Sequence, residues 1–207
     1  MSMMNTPSQM ARGSSSMMDR LIGVLTLKAP VYREIADDTT ATTQAGIIVV
    51  VVALVVGVVA GLLGFSAASI PGVPGQSTAA SAGFSIVGII LSLISAIVGW
   101  LIGGWLTAFV ATTFFQGKTN TGEMLRVLGY TRIFAILGVI PIIGGIVGAI
   151  LGIIGNVIGI REAAEFDTTK AILTAVIVFI IVLIVTAVIF GAIFALVLGA
   201  AAVSGGS

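Results

Sequence analysis

Long apolar runs separated by short polar segments dominate the pattern of this chain. The clearest run, GIIVVVVALVVGVVAGLLGF, carries no charge and has the length of about 20 residues that a bilayer core requires. Its valines would favour a strand in water, but a lone strand in lipid leaves its backbone groups without partners, so a helix is predicted. The pattern predicts an all-α integral membrane protein with five transmembrane helices, over residues 46–65, 85–113, 124–140, 142–160 and 171–199.

The polar segments complete this division of the chain. Residues 1–18 are rich in Met and Ser, lack periodicity and are predicted to be disordered. Residues 19–44 have apolar positions at helical spacing, which predicts two short amphipathic helices lying on the membrane surface; a loosely packed linker is the alternative. The five spans form one domain, 45–200, and residues 201–207 form an extracytoplasmic tail.

Composition supports a membrane protein and excludes several kinds of chemistry. The chain is 58% hydrophobic and 8% charged, whereas a soluble domain carries roughly 25% charged residues. It has no Cys and no His, which excludes thiol catalysis, Cys/His zinc sites and His-ligated haem. With no paired carboxylates inside the spans either, we expect no catalytic residue, no metal and no cofactor. The net charge of +1 gives no reason to expect nucleic acid as a partner.

The positions of the cations predict the topology. With five spans, every Lys and Arg falls in the N-terminal segment, in or beside the second-to-third loop, or in the fourth-to-fifth loop. These segments lie on one side, and cytoplasmic loops carry the Lys/Arg excess, so the N-terminus is predicted to be cytoplasmic. A four-span chain, with the third and fourth spans merged, would place Arg161 across the membrane from Arg126.

The stretch GKTNTGEMLRVLGYTRIF, 117–134, begins like a phosphate-binding loop. A loop of that class needs a glycine five positions before its Gly-Lys pair, and Thr112 occupies that position. We therefore interpret the stretch as a cytoplasmic loop that enters the third span. Arg132, about two turns beyond Arg126, is predicted to snorkel back to the lipid headgroups.

Small residues recur every four positions on several spans. Such stripes allow helix backbones to approach closely in lipid, and they predict packing faces within the bundle or, alternatively, a dimer seam. Asn156 is predicted to form an inter-helix hydrogen bond, with a substrate contact as the alternative. The predicted packing residues are Gly57, Gly61, Gly99, Gly103, Gly144, Gly148, Gly152 and Asn156.

Charged and aromatic residues from three segments are predicted to meet at the cytoplasmic ends of the helices. One interpretation is a solvated rim whose charges neutralise one another. The other is a docking surface for a partner, with the two tyrosines as aromatic anchors. The residues of this candidate docking rim are Tyr32, Glu34, Asp37, Glu123, Arg126, Tyr130, Arg132, Arg161 and Glu162.

Three segments carry a resemblance to a known family. These are DRLIGVLTLKAPVYREIADD before the first span, TGEMLRVLGYTRIFAILGVIPIIGGIVG across the third and fourth, and VIGIREAAEFDTTKAI before the last. Over residues 20–190 the chain resembles prokaryotic YIP-domain proteins, of the Ypt-interacting-protein family. The resemblance implies a five-span bundle with a cytoplasmic N-terminus, located in the cytoplasmic membrane of a prokaryote.

The same resemblance bears on partners. Eukaryotic members bind Rab-type GTPases, and they carry an acidic Asp-Leu-Tyr-Gly-Pro signature before the membrane. Here Asp37-Asp38 leads only into threonine, so a Rab-type GTPase is not expected as a partner. We expect the chain to contact the lipid bilayer and other membrane proteins or a second copy of itself. A non-enzymatic scaffold or accessory subunit is the favoured function, and a small-solute transporter or channel is the alternative.

Overall fold

The computed structural model describes residues 15–62, 86–140 and 143–204, and this part of the chain is helical and contains no strand. Four helices are long and apolar enough to cross a membrane: α3, α4, α6 and α7. The elements in chain order are α1 (Met17–Leu25), α2 (Ala29–Asp37), α3 (Ala41–Leu62), α4 (Ile86–Phe115), α5 (Thr121–Thr131), a 3-10 helix (Arg132–Val139), α6 (Ile143–Ala164) and α7 (Thr168–Ser204).

The predicted boundaries at the N-terminal side were wrong by a few residues. Helix α1 begins at Met17, inside the segment predicted to be disordered, because Ser16 and Asp19 form a capping box. The Ser16 hydroxyl accepts from the Asp19 N–H at 3.2 Å, and Asp19 accepts from the Ser16 N–H at 3.2 Å. Helix α3 begins at Ala41, five residues before the predicted span 46–65, and the membrane boundaries of that span stay a prediction. Residues 1–14 lie outside the described part of the chain.

Helices α1 and α2 pack against the long helices rather than standing apart from them. Tyr32, Ile35 and Ala36 of α2 are fully buried, as is Val24 of α1. Helix α2 contacts α5 and α6, and it shares one apolar core with α3 and α4. The position of these two helices relative to a membrane surface remains a prediction.

The third predicted span, 124–140, is built from two kinds of helix. Helix α5 continues directly into the 3-10 helix, which ends at Val139. A 3-10 helix rises about 2.0 Å per residue and an α-helix about 1.5 Å, so the two together extend about 32 Å. Residues 141–142, between the 3-10 helix and α6, lie outside the described part of the chain.

Glycines on α6 contact α5 and the 3-10 helix along their length. A Cβ built on Gly148 would lie 2.7 Å from the Phe134 carbonyl oxygen, and one on Gly144 would overlap the Leu137 carbonyl. Further along α6, Gly155 lies against the Phe134 ring. The order of these contacts shows that α6 runs antiparallel to α5 and the 3-10 helix.

The other predicted packing glycines have different surroundings. A Cβ on Gly57 would meet only the Ser92 hydroxyl at 3.5 Å, and one on Gly152 only the Phe134 Cβ at 3.8 Å. Among the described residues no atom lies within 4 Å of a Cβ built on Gly99 or Gly103, so neither is a packing contact inside the bundle; the alternative of a dimer seam stays a prediction. The close contact of α4 is made instead by Gly104, on Leu125. Gly61 lies in α3, and its surroundings fall outside the described side chains.

Candidate functional site

The loops and helix ends that carry most of the charge meet at one end of the bundle. The Lys118 N–H, between α4 and α5, donates to the Ala164 carbonyl at the end of α6 at 2.9 Å. The Arg33 guanidinium of α2 donates to the Glu162 carbonyl of α6 at 3.0 Å. We call this region, made by α1, α2, the α4–α5 loop with the start of α5, and the α6–α7 connection, the charged end.

A buried arginine lies at the centre of the charged end. Arg20 of α1 is only 1% exposed, and its Nη2 lies 3.1 Å from Glu34 Oε1 and 2.5 Å from Asp38 Oδ2. Its Nη1 donates to Gln44 Oε1 at 3.3 Å, and this oxygen also accepts from the Tyr130 hydroxyl. One cation therefore joins α1 to α2 and α3, and through Gln44 to α5.

The acidic partners of Arg20 are held in their charged form. The Thr40 hydroxyl and, after it, the Arg20 guanidinium hold the pKa of Asp38 at about 2. The Ser15 hydroxyl, and to a smaller extent Arg20, hold the pKa of Glu34 below its ordinary value. Hydrogen bonds to an ionised carboxylate favour that form, so both groups remain ionised partners of Arg20 at neutral pH.

A second arginine connects α5 to the end of α2. Arg126 is 7% exposed, and its Nε and Nη2 donate to the Ala36 carbonyl at 3.0 and 2.5 Å. Its Nη1 lies 3.3 Å from the Thr42 hydroxyl in the first turn of α3. Ala36 is in the last turn of α2, where a cation stabilises the carbonyls that the helix leaves unpaired.

Both tyrosines of the predicted docking rim are in the protein interior. Tyr32 is fully buried, and its hydroxyl donates to the Val24 carbonyl at 3.2 Å. Burial raises the pKa of Tyr32, so that its hydroxyl stays protonated and keeps this donor role. Tyr130 is also fully buried, beneath α3, where it donates to Gln44.

A network of partly exposed charges surrounds a shallow depression of about 350 Å³. Arg33 contacts Asp37 at 3.0 Å and Glu165 at 2.6 Å, and Arg161 contacts the carboxylate of Glu162 at 2.6 Å. Phe166 lies beside them and is held edge-on by Phe115, with ring centroids 6.5 Å apart. We call the surface of this depression the exposed rim, and its residues are Arg33, Lys118, Arg161, Glu162, Glu165 and Phe166.

A groove begins beside the charged end and runs between the long helices. It has a volume of about 570 Å³ and lies between α4, α5 with the 3-10 helix, α6 and α7. Asn156 of α6 forms an inter-helix contact in its wall, with Oδ1 2.5 Å from the Thr131 hydroxyl. Arg132 lies exposed on the same wall.

The part of the chain that forms the charged end and the groove is similar to a known protein family. A model of the Yip1 domain matches residues 22–190, from α1 to α7. The chain belongs to the Yip1 domain family. No curated protein and no solved structure matches significantly. The charged end and the groove both lie within the matched part of the Yip1 domain.

The Yip1 domain brings only part of the predicted docking rim together. Asp37, Arg161 and Glu162 belong to one exposed network through Arg33. The prediction that Tyr32, Tyr130 and Arg126 are available at the rim was wrong, because each is buried by α1, α2 or α3. Glu34 faces Arg20 instead, Arg132 lines the groove, and Glu123 contacts only Asn120, at 2.7 Å, within the described residues.

Sequence reasoning missed the residues that organise the charged end of this Yip1 domain. Arg20, Asp38 and Gln44 were not candidates, although they form its buried polar centre. Their spacing along the sequence gave no signal, because their contacts form only when α1 packs against α2 and α5. Trp100 was also missed as a hydrogen-bonding residue; its Nε1 donates to the Leu125 carbonyl at 2.8 Å.

Proposed function

We propose that this Yip1 family protein is a non-enzymatic scaffold or accessory subunit of a membrane complex in the cytoplasmic membrane of a prokaryote. The observation that carries the proposal is the construction of the charged end. Buried Arg20 and Arg126 fix α1 and α2 on the bundle, and the exposed charges are gathered around one depression. A rigid surface of this kind suits recognition of a protein partner, since little conformational entropy is lost when the partner binds.

Five crossings with a cytoplasmic N-terminus are part of this proposal. Helix α5 and the 3-10 helix lie alongside α6, which is itself long enough to cross. Beyond the start of α5, which belongs to the charged end, residues 127–139 extend about 24 Å, which approaches a hydrocarbon core of about 30 Å. Counting them as one crossing places the N-terminal helices, Lys118 and Arg161 on the same side. The Lys/Arg excess makes that side the cytoplasmic one.

The exposed rim is the surface we assign to docking. Lys118 is 82% exposed, and its nearest carboxylate, Glu165, is 4.0 Å away. Phe166 is half-buried, which makes it the aromatic residue at the rim that a partner can reach. Interfaces are enriched in such aromatic and arginine side chains, and charge complementarity selects the partner.

Removing two of the cations of the rim is expected to release partners without unfolding the protein. In the double variant Lys118→Ala/Arg161→Ala, proteins recovered by affinity purification in mild detergent should fall about tenfold, which corresponds to a loss of about 1.4 kcal/mol of binding free energy. Exposed ion pairs contribute only about 0–1 kcal/mol, so the unfolding temperature should change little. Quantitative mass spectrometry of the co-purified proteins, including a differently tagged second copy of this chain, measures the result.

The control is the double variant Lys28→Ala/Lys170→Ala, which removes the same charge from exposed positions outside the rim. It should retain the partners. Equal recovery of partner proteins with the rim variant and with the wild type would refute the docking proposal. Equal loss of partner proteins with both double variants would show a non-specific effect of net charge instead.

A further inference from the structure

The groove changes in polarity along its length. The part of the groove closest to the charged end carries polar side chains, those of Thr107, Thr131, Arg132 and Asn156. The Trp100 indole also lines the groove, but it is already bonded to the Leu125 carbonyl. The remainder is lined by glycine, alanine and apolar side chains. From Ile160 to Gly145 the groove follows α6 for about 22 Å.

Arg132 differs from the other arginines in the described part of the chain. Arg20, Arg33, Arg126 and Arg161 are each bonded to a carboxylate or a carbonyl. The Arg132 guanidinium has no ion pair or hydrogen bond to any described residue, and it lies between apolar helices. A cation at membrane depth is costly unless it has a partner, so its position favours an anionic ligand.

The groove is open along its side to the surface of the apolar helices. Phe179 on its edge is 65% exposed, and Gly99 and Gly145 on its walls are exposed as well. In a membrane this surface faces hydrocarbon, so a ligand can enter sideways from the lipid phase. Its volume of about 570 Å³ lies within the range of about 300–1,000 Å³ that is usual for ligand-binding cavities.

We propose that the groove binds an anionic phospholipid. The lipid phosphate pairs with the Arg132 guanidinium, with the Asn156 amide beside it, and one acyl chain lies along the apolar part. Gly99 and Gly103 have no atom within 4 Å of a built Cβ, so the absence of side chains there leaves space for that chain. Charge complementarity at one end and apolar walls at the other identify the ligand as an anionic amphiphile of the membrane.

Lipid selectivity of the purified full-length chain tests the proposal. Protein in detergent micelles is titrated with phosphatidylglycerol or phosphatidylcholine carrying identical acyl chains, and bound lipid is counted by native mass spectrometry. The wild type should retain one phosphatidylglycerol about tenfold more tightly than phosphatidylcholine, as expected for a hydrogen bond to a charged group. Arg132→Gln should abolish this preference, and Arg132→Lys should keep part of it.

Two matched pairs of variants separate the groove from the general surface. Lys170→Gln removes an exposed cation outside the groove and should keep the preference. Gly103→Leu places a side chain in the groove without a clash and should lower binding of both lipids about tenfold, as for loss of a well-packed apolar contact. Gly191→Leu, also in open space but outside the groove, should leave binding unchanged.

Each outcome supports or overturns one part of the proposed lipid site. A preference that survives in Arg132→Gln, or that Lys170→Gln abolishes equally, overturns the assignment of the phosphate to Arg132. Unchanged lipid binding in Gly103→Leu overturns the assignment of the acyl chain to the groove. If Arg132→Gln does not purify as a folded protein, Arg132→Lys and the two glycine variants carry the test.

Discussion

Leucine at position 148 is expected to lower the unfolding temperature of the detergent-solubilised protein by roughly 10 °C, from an overpacking cost of a few kcal/mol. The reason is local: the first carbon of any side chain on Gly148 would lie 2.7 Å from the Phe134 carbonyl oxygen. That oxygen belongs to a backbone that cannot yield as a flexible side chain does, so α6 must move away from the 3-10 helix. Thermal unfolding followed by circular dichroism measures the effect.

Gly145→Leu is the matched control, three residues away on the same helix. In the described part of the chain no atom lies within 4 Å of a Cβ at Gly145, so leucine there should change the unfolding temperature by less than about a third as much. Equal losses in the two variants would mean that helix composition, and not the contact between α6 and the 3-10 helix, decides stability.

Replacing Arg20 with methionine is expected to be the most damaging change at the charged end, at roughly 2–3 kcal/mol of unfolding free energy. This is less than the cost of breaking a fully buried pair, because Glu34 and Asp38 are partly exposed and water can solvate them. The variant leaves the carboxylates of Glu34 and Asp38 facing each other without their shared cation, and Gln44 without one donor. Arg161→Met, at a partly exposed pair that water can still reach, should cost no more than about 1 kcal/mol.

A double-mutant cycle checks that the pairing is responsible. Arg20→Met/Asp38→Asn should be less destabilised than the sum of the two single variants, because neighbouring partners do not contribute independently. Unfolding curves of all four proteins in one detergent provide the numbers. Additive losses would show that Arg20 acts through packing of its side chain and not through Asp38.

The sequence could predict the apolar helices because length and lack of charge are local properties. Helices α3, α4, α6 and α7 overlap four of the predicted spans closely. The helix boundaries depend on capping groups, and the cap formed by Ser16 makes α1 begin at Met17, earlier than predicted. The winding of the third segment as a 3-10 helix after Thr131 was not predictable, since no residue there signals the change.

The candidate site was harder to predict because its contacts are distant in sequence. Tyr32 and Tyr130 were predicted as aromatic anchors of the docking rim, and only the packing of α1 and α2 against the bundle buries them. Glycine spacing shows which positions share a helix face but not what that face meets. Gly103 of α4 and Gly148 of α6 each belong to a series of small residues spaced four positions apart. The Cβ position of Gly103 faces open space, whereas that of Gly148 faces a backbone carbonyl.

In the topology that we propose, five crossings place the N-terminal helices, the α4–α5 loop and the α6–α7 connection on the cytoplasmic side. The chain has no cysteine, so single cysteines can be introduced and labelled with a membrane-impermeant maleimide in spheroplasts. We predict that Ser77→Cys and Ser207→Cys react in intact spheroplasts, and that Lys118→Cys and Lys170→Cys react only after permeabilisation. Labelling of Lys170→Cys in intact spheroplasts while Lys118→Cys stays protected would contradict the account, because it would place the two segments on opposite sides of the membrane.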